Sequence, residues 1–284
     1  MDFQSKVNKL IEVYGFDDQR TTAWYSKRGE MLTASEIYKA LPGASPALKH
    51  ELILSKLVPR QRTEGTGSRA LLWGTRFEPI AKQIYCKMQG TIEIKDTTCI
   101  PHPTVKFLGA SPDGILVTPD PQDFRHGKLV EFKCPISREF SEESEIPLAY
   151  YHQMQLQMEC TELYECEYIE MGFKELTYTN WVDSMAGYKS FYAIHNDGVQ
   201  VKYKDFNDPR PVSTWKFEEL KHDAEHWDIL YWHLSHWRSK TVDHDTKWLS
   251  TNLPSFLEIW QTIQSHRESG TLPENPKDKK ILIV

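Results

Sequence analysis

The spacing of apolar residues along the chain changes period near Thr91. Before that point helical spacing dominates. Val7, Leu10, Ile11 and Tyr14 recur three and four apart, and Gly15 marks a stop. Ile37, Tyr38 and Leu41 predict a second helix, with Thr33 or Ser35 as its N-cap and Pro42-Gly43 as its end. Leu48, Leu52, Ile53 and Leu57 predict a third over 46–57. Trp73, Phe77, Ile80, Ala81, Ile84 and Met88 line one face of a fourth over 69–89, with Glu78 beside that face. Pro79 interrupts this pattern. A helix interior tolerates proline at a cost of roughly 3 kcal/mol, so the helix either kinks there or begins near Thr75 with the proline in its first turn.

From Thr91 the period is two. The runs TIEIKDTTCI, TVKFLGAS, GILV and KLVEFK predict four strands of an antiparallel meander, with turns at His102-Pro103, at Pro112-Asp113-Gly114 and over 119–127. A helical part followed by a meander is an α+β pattern. Residues 136–147 are polar and read as a loop. LAYYHQMQLQMECTEL then predicts a helix with Leu148, Tyr151, Met154 and Met158 inward. Gln153 and Gln157 share a stripe of it, and spacing does not choose between them. ECEYIEMGF predicts another strand. Strands are expected around TYTNWV and VQVKYKDF, with Asn196-Asp197-Gly198 as a hairpin turn. The aromatic stretch 215–238 reads as a helix, and a closing helix over about 252–269 ends at Gly270. One domain over 1–284 is expected, with an insertion at about 177–240.

Composition narrows the class. No run of about 18 apolar residues exists, so no membrane span is expected. The start, MDFQSKVNKL, lacks the apolar centre of a signal peptide. Five cysteines without a C-x-x-C pair argue against a disulfide framework or zinc site and for a reducing, intracellular compartment. The net charge of −6 hides an uneven distribution. Lys56, Arg60, Arg62 and Arg69 face one Glu64 in a segment read as an exposed loop, whereas 139–173 holds no Lys or Arg. Such a split separates a phosphate-binding side from an outer surface.

The candidate chemistry lies between Gly109 and Pro135. Asp113 sits in Ser-Pro-Asp-Gly before Ile115-Leu116-Val117, and Glu131-Phe132-Lys133 lies in the next apolar run. Side chains two apart on a strand share a face, so Glu131 and Lys133 point one way and Phe132 the other. If the two runs pair, Asp113 meets Glu131 and Lys133. Two carboxylates and an ammonium at a sheet end suit a hard cation. Alone, each run is an ordinary turn or a solvated strand face. In this order they read P-D…E-x-K. Arg28, ahead of the helix start with Ser35, supplies a guanidinium to any anion bound there.

In AWYSKRGEMLTASEIYKAL, ALLWGTRFEPIA, FLGASPDGILV, GKLVEFKCP and AYYHQMQLQM the sequence resembles the phage lambda exonuclease, or YqaJ-type, branch of the PD-(D/E)xK nucleases. The resemblance implies an α+β restriction-endonuclease-like core, a mixed central sheet flanked by helices. It implies a deoxyribonuclease that digests one strand of linear duplex DNA from a 5′ end in recombination, repair or viral DNA processing. By position, Asp113 and Glu131 hold Mg²⁺ or Mn²⁺, and Glu78 binds a second ion or acts through water. Lys133 orients or deprotonates the attacking water, shedding its own proton more easily beside a cation. Gln153 positions Lys133 or that water, and Arg28 and Ser35 hold the 5′-phosphate. The implied partners are double-stranded DNA ends and a single-strand annealing protein, with a homotrimer or a monomer as the assembly. An endonuclease of the same fold acting on DNA or RNA, and a non-catalytic nucleic-acid-binding module, are the alternatives.

Overall fold

Side-chain alternation on one central sheet decides which helix packs on which face. The computed structural model describes residues 2–16, 19–58 and 67–276. In chain order the elements begin with α1 (Phe3–Tyr14), α2 (Thr22–Gly29), β1 (Leu32–Thr33), a 3₁₀ helix (Ala34–Ala40), α3 (Pro46–Leu57) and α4 (Arg69–Gln89). Five strands follow: β2 (Glu93–Lys95), β3 (Ile100–Pro101), β4 (Leu108–Ala110), β5 (Gly114–Val117) and β6 (Leu129–Lys133). Then come α5 (Leu148–Thr161), β7 (Glu165–Leu176), α6 (Tyr178–Asp183), β8 (Lys189–His195), β9 (Val201–Tyr203) and α7 (Val212–Leu220). A 3₁₀ turn (Lys221–His226), β10 (Trp227–Asp243) and α8 (Trp248–Ser269) complete the chain.

The central sheet has the order β2-β5-β6-β7-β10-β8-β9, and it is mixed because β6 and β7 run parallel. Val130 and Phe132 of β6, with Ile169, Met171 and Phe173 of β7, pack with Trp73, Phe77, Ile80 and Ile84 of α4. Phe77 stacks on Phe173 with ring centres 4.4 Å apart. The intervening positions, Leu129 of β6 and Cys166 and Tyr168 of β7, pack with Met154 and Met158 of α5 and Val7 of α1. A second, three-stranded sheet of order β1-β4-β3 packs among the 3₁₀ helix 34–40, α3 and α8.

Several local expectations change. Ser68 caps α4 by accepting from the Leu71 amide at 3.3 Å, so the helix starts early and Pro79 lies in its interior. The four expected meander strands divide between two sheets, and TIEIKDTTCI breaks into β2 and β3. Thr97 Oγ1 donates to the Pro112 carbonyl (2.9 Å) and the Thr98 amide to the Tyr14 carbonyl (2.9 Å), bonds that compete with a continuous ladder. Thr177 accepts from the Asn180 amide and starts α6 where a strand is expected from TYTNWV. Leu148, expected inward, is the first residue of α5 and is exposed. The closing helix starts at Trp248, ahead of the expected 252, with Pro254 inside it.

The largest correction concerns 215–238. Only its first part is helical, and residues 227–243 form β10, paired with β7 on one side and β8 on the other. Ser235 sits at a register shift between Leu234 and His236, its hydroxyl donating to the Gly172 carbonyl at 2.8 Å. That bulge breaks the alternation that would mark a strand, and pairing on both edges outweighs the helical spacing of the aromatics. The 58–68 segment falls mostly outside the described residues, Arg60, Arg62 and Glu64 included. Among the described residues no helix is long and apolar enough to cross a membrane, and no disulfide joins any of the five cysteines.

Gly114 starts β5 beside Asp113 with no room for a side chain. A Cβ there would lie 2.3 Å from Ile94 Cγ2 and 3.0 Å from the Lys95 carbonyl oxygen. Gly114→Ala should therefore destabilise the protein by about 1–3 kcal/mol, read as a lower melting temperature, with Gly74→Ala, which meets nothing within 4 Å, as the control.

Candidate active site

β5 and β6 pair antiparallel with Gly114 opposite Val130, which sets Asp113 across from Glu131 at the end of the ladder. The Asp113 amide donates to the Val130 carbonyl (3.2 Å), and its Oδ2 accepts from the Phe132 amide (2.7 Å). The Ser-Pro-Asp-Gly turn is thereby tied to both sides of Glu131. Phe132 turns away into the core and meets Tyr85 edge-on.

Glu131 is fully buried on the face that carries α5. Its Oε1 accepts from Gln153 Nε2 (2.7 Å) and from Lys133 Nζ, and its Oε2 accepts from Gln157 Nε2 (2.6 Å). The choice that helical spacing leaves open between the two glutamines therefore falls on both. Gln153 Oε1 lies 3.5 Å from Lys133 Nζ, and the Tyr150 ring centre lies 4.6 Å from it. Gln157 has no sequence signal beyond its four-residue offset from Gln153.

A cleft of about 700 Å³ opens over this group. Arg28, Ser35 and Glu78 line it from α2, the 3₁₀ helix 34–40 and α4, together with Lys133, Arg138 and Tyr150 from β6, the loop after it and α5. Thr33 takes the cap position of the 3₁₀ helix, where its amide donates to Glu36 Oε1 at 2.9 Å. Ser35 accepts instead from Arg28 Nη2 at 2.7 Å, and the Arg28 guanidinium lies 4.3 Å from the Trp24 ring centre. Two further charged groups escape sequence reading. Arg20 Nη2 lies 2.5 Å from Glu78 Oε2. Arg138 and Arg238 both pair with Glu170, a fully buried carboxylate of β7.

Electrostatics follow from burial and crowding. Burial, then the Glu131 and Glu78 carboxylates, push Asp113 well above the ordinary carboxylate range. Burial would raise Glu78 as well, but Arg20 and Lys82 outweigh it and hold its carboxyl below the ordinary value. Burial pulls Lys133 down, yet Glu131 and Asp113 overcome it and hold the ammonium more firmly than in water. Among the described residues no three His, Cys, Asp or Glu side chains form a ready coordination set, and donors of the protein engage the three carboxylates.

The YqaJ-like viral recombinase domain family matches residues 23–164, half of the chain. The chain belongs to that family. A curated relative, uncharacterized protein R354 of Acanthamoeba polyphaga mimivirus, is 26% identical over 174 residues, covering 58% of this chain and 31% of its own length. The chain thus spans about a third of that relative. Among solved structures, the alkaline exonuclease LHK-Exo of Laribacter hongkongensis superposes with a TM-score of 0.52 at 19% identity, over 88% of this chain and 95% of that one. The same protein in complex with dAMP gives 0.51 at 18% identity, over 89% and 100%. The shared fold is the mixed α+β PD-(D/E)xK-like core.

Arg28, Ser35, Glu78, Asp113, Glu131, Lys133 and Gln153 all lie inside the YqaJ-like span, whereas Arg20, Glu170 and Arg238 lie outside it. Asp113 carries a charge that the fold does not welcome. A raised carboxyl pKa favours folding below the unfolded value, and that advantage is lost as pH rises through the folded value. Asp113→Asn keeps an oxygen for the Phe132 amide and removes the repulsion. It should therefore raise the melting temperature in EDTA at pH 8 by about 2–4 °C, or about 1 kcal/mol for a chain of this size, and the gain should vanish at pH 4.

Proposed function

We propose that this YqaJ-family chain is a divalent-cation-dependent deoxyribonuclease that removes nucleotides from the 5′ end of one strand of duplex DNA. The observation that carries the reading is the convergence of Asp113, Glu131 and Lys133 beneath the same cleft that holds Glu78, Arg28 and Ser35. The name and dAMP complex of the alkaline exonuclease with the same fold support a deoxynucleotide as ligand.

The donor set suits Mg²⁺ or Mn²⁺ in kind. Asp113 and Glu131 offer hard oxygens, and Asp113, raised first by burial, is pushed further by the Glu131 and Glu78 carboxylates beside it. These two residues would hold one ion, and Glu78 would serve a second. Bound there, the cation supplies Lewis acidity and a nucleophilic water at neutral pH. The chain's own groups do the rest. Gln153 and Gln157 fix the plane of the Glu131 carboxylate, and hence the direction of its lone pairs. Lys133, held charged, donates from Nζ to a non-bridging phosphate oxygen as negative charge builds on it.

The end specificity rests on Arg28 and Ser35. A guanidinium stacked on Trp24 beside a hydroxyl forms a donor pair for a terminal phosphate. Internal DNA phosphates carry one charge and no free end, so such a pocket favours an exonuclease over an endonuclease.

Mg²⁺-dependent digestion of linear duplex labelled at either end, with closed circular DNA alongside, tests the reading. Label should leave the 5′ end first and the circle should stay intact. Lys133→Ala should slow cleavage at least about a hundredfold while DNA affinity persists; an equal loss of affinity would make the lysine a phosphate contact only. Arg28→Ala should slow 5′-phosphorylated ends about tenfold more than 5′-hydroxyl ends, the worth of one charged hydrogen bond. Equal slowing of both ends would remove the pocket.

A further inference from the structure

Both oxygens of Glu78 are engaged by cationic side chains, Oε2 by Arg20 at 2.5 Å and Oε1 by Lys82 at 3.4 Å. The two cations differ in what else holds them. Lys82 stands one turn along the same helix and lies 2.8 Å from Asp96 Oδ1, so a second carboxylate retains it. Arg20 comes from the short segment between α1 and α2, and its backbone is left-handed with φ 70°. That conformation is disfavoured for a non-glycine residue, so surrounding contacts must impose it. Gln19 supplies them: its side-chain Nε2 donates to the Thr97 carbonyl (2.8 Å) and to the Pro112 carbonyl (3.2 Å). The turn is thus pinned to the residue before Asp113, and the guanidinium is aimed at Glu78. The Arg20 side chain is 41% exposed and lines the cleft with Arg28 and Ser35. It has a carboxylate on one side and the substrate cavity on the other.

We propose that Arg20 is an exchangeable counter-ion for Glu78. It neutralises the carboxylate until a divalent cation reaches the cluster, and the released guanidinium then turns to a phosphate of the DNA strand in the cleft. The inference rests on the metal-dependent nuclease reading above. A dication and a guanidinium cannot both neutralise the same oxygen, so Arg20 weakens cation binding when DNA is absent. By linkage, a phosphate that captures Arg20 strengthens cation binding, and the cation strengthens DNA binding by the same factor.

Calorimetric titration of Mn²⁺ into the full chain without DNA tests the exchange. Arg20→Gln should bind Mn²⁺ about tenfold more tightly than the unaltered protein, a difference of about 1.4 kcal/mol, with Arg20→Lys between them. In EDTA, Arg20→Gln should melt lower than the parent, and Mn²⁺ should raise its melting temperature by more, which shows that the variant folds and binds. Equal or weaker Mn²⁺ affinity in Arg20→Gln would overturn the exchange and leave the nuclease reading standing. Mn²⁺ binding to neither protein would overturn both. In a Lys133→Ala background, Mn²⁺ should tighten binding of a 5′-phosphorylated duplex, and adding Arg20→Gln should remove most of that gain; an undiminished gain would overturn the transfer of Arg20 to phosphate.

Discussion

Glu131 is a charge with no access to water, and such a group is tolerated only where donors replace its hydration. Three do so: the amides of Gln153 and Gln157 and the ammonium of Lys133. Each comes with a structural demand. The glutamines must stand one turn apart on a helix laid over β6, which fixes the rotation of α5. Lys133 must lie two residues along the strand, on the same face. Loss of any one donor leaves part of the carboxylate unsatisfied, a penalty of about 1–3 kcal/mol or more for a charged group. The requirement to hold this one carboxylate therefore orients the strand, the helix and the mouth of the cleft together.

The sheet extends the same solution sideways. Lys133 of β6 is the register partner of Glu170 on β7, and Glu170 is the partner of Arg238 on β10. Opposite charges directly across neighbouring strands stabilise the pairing. Here they also form a row of alternating sign that crosses three strands and ends at the cleft wall, where Arg138 shares Glu170. Arg238 reaches further, its Nη2 lying 3.4 Å from the Glu145 carbonyl, so the polar 136–147 loop is strapped to the sheet. The long β10 that supplies Arg238 is thus no appendage to the site, although it belongs largely to the segment expected as an insertion.

What the chain discloses in advance depends on how local the determinant is. Helices with capping residues and an even apolar stripe, such as α1 with Asp2 and Gly15 or α3 with Ser45, are legible because their causes sit within a few residues. The motif residues are legible because strand pairing in a P-D…E-x-K order forces them together. β10 is illegible because its cause is two partner strands, and a bulge at Ser235 erases its alternation. Gln157, Arg20 and the Glu170–Arg238 pair escape for a related reason. Each acquires meaning from a residue that is distant in sequence, and nothing in the flanking composition distinguishes it from a solvated polar group.

The charges around the cluster nearly balance. Asp113, Glu131, Glu78 and Asp96 contribute four carboxylates, and Lys133, Lys82 and Arg20 contribute three cations. Asp113 is raised even so, first by its burial and then by the Glu131 and Glu78 carboxylates, to which the cations sit closest. The group is therefore negative by one charge in sum and uneven in detail. Adding a dication alone would tip the sum positive in a partly buried cleft, which is unfavourable. Adding it together with the phosphates of a DNA end restores the balance. On the proposed nuclease reading, electroneutrality thus ties a cation and a DNA phosphate to each other in the cleft.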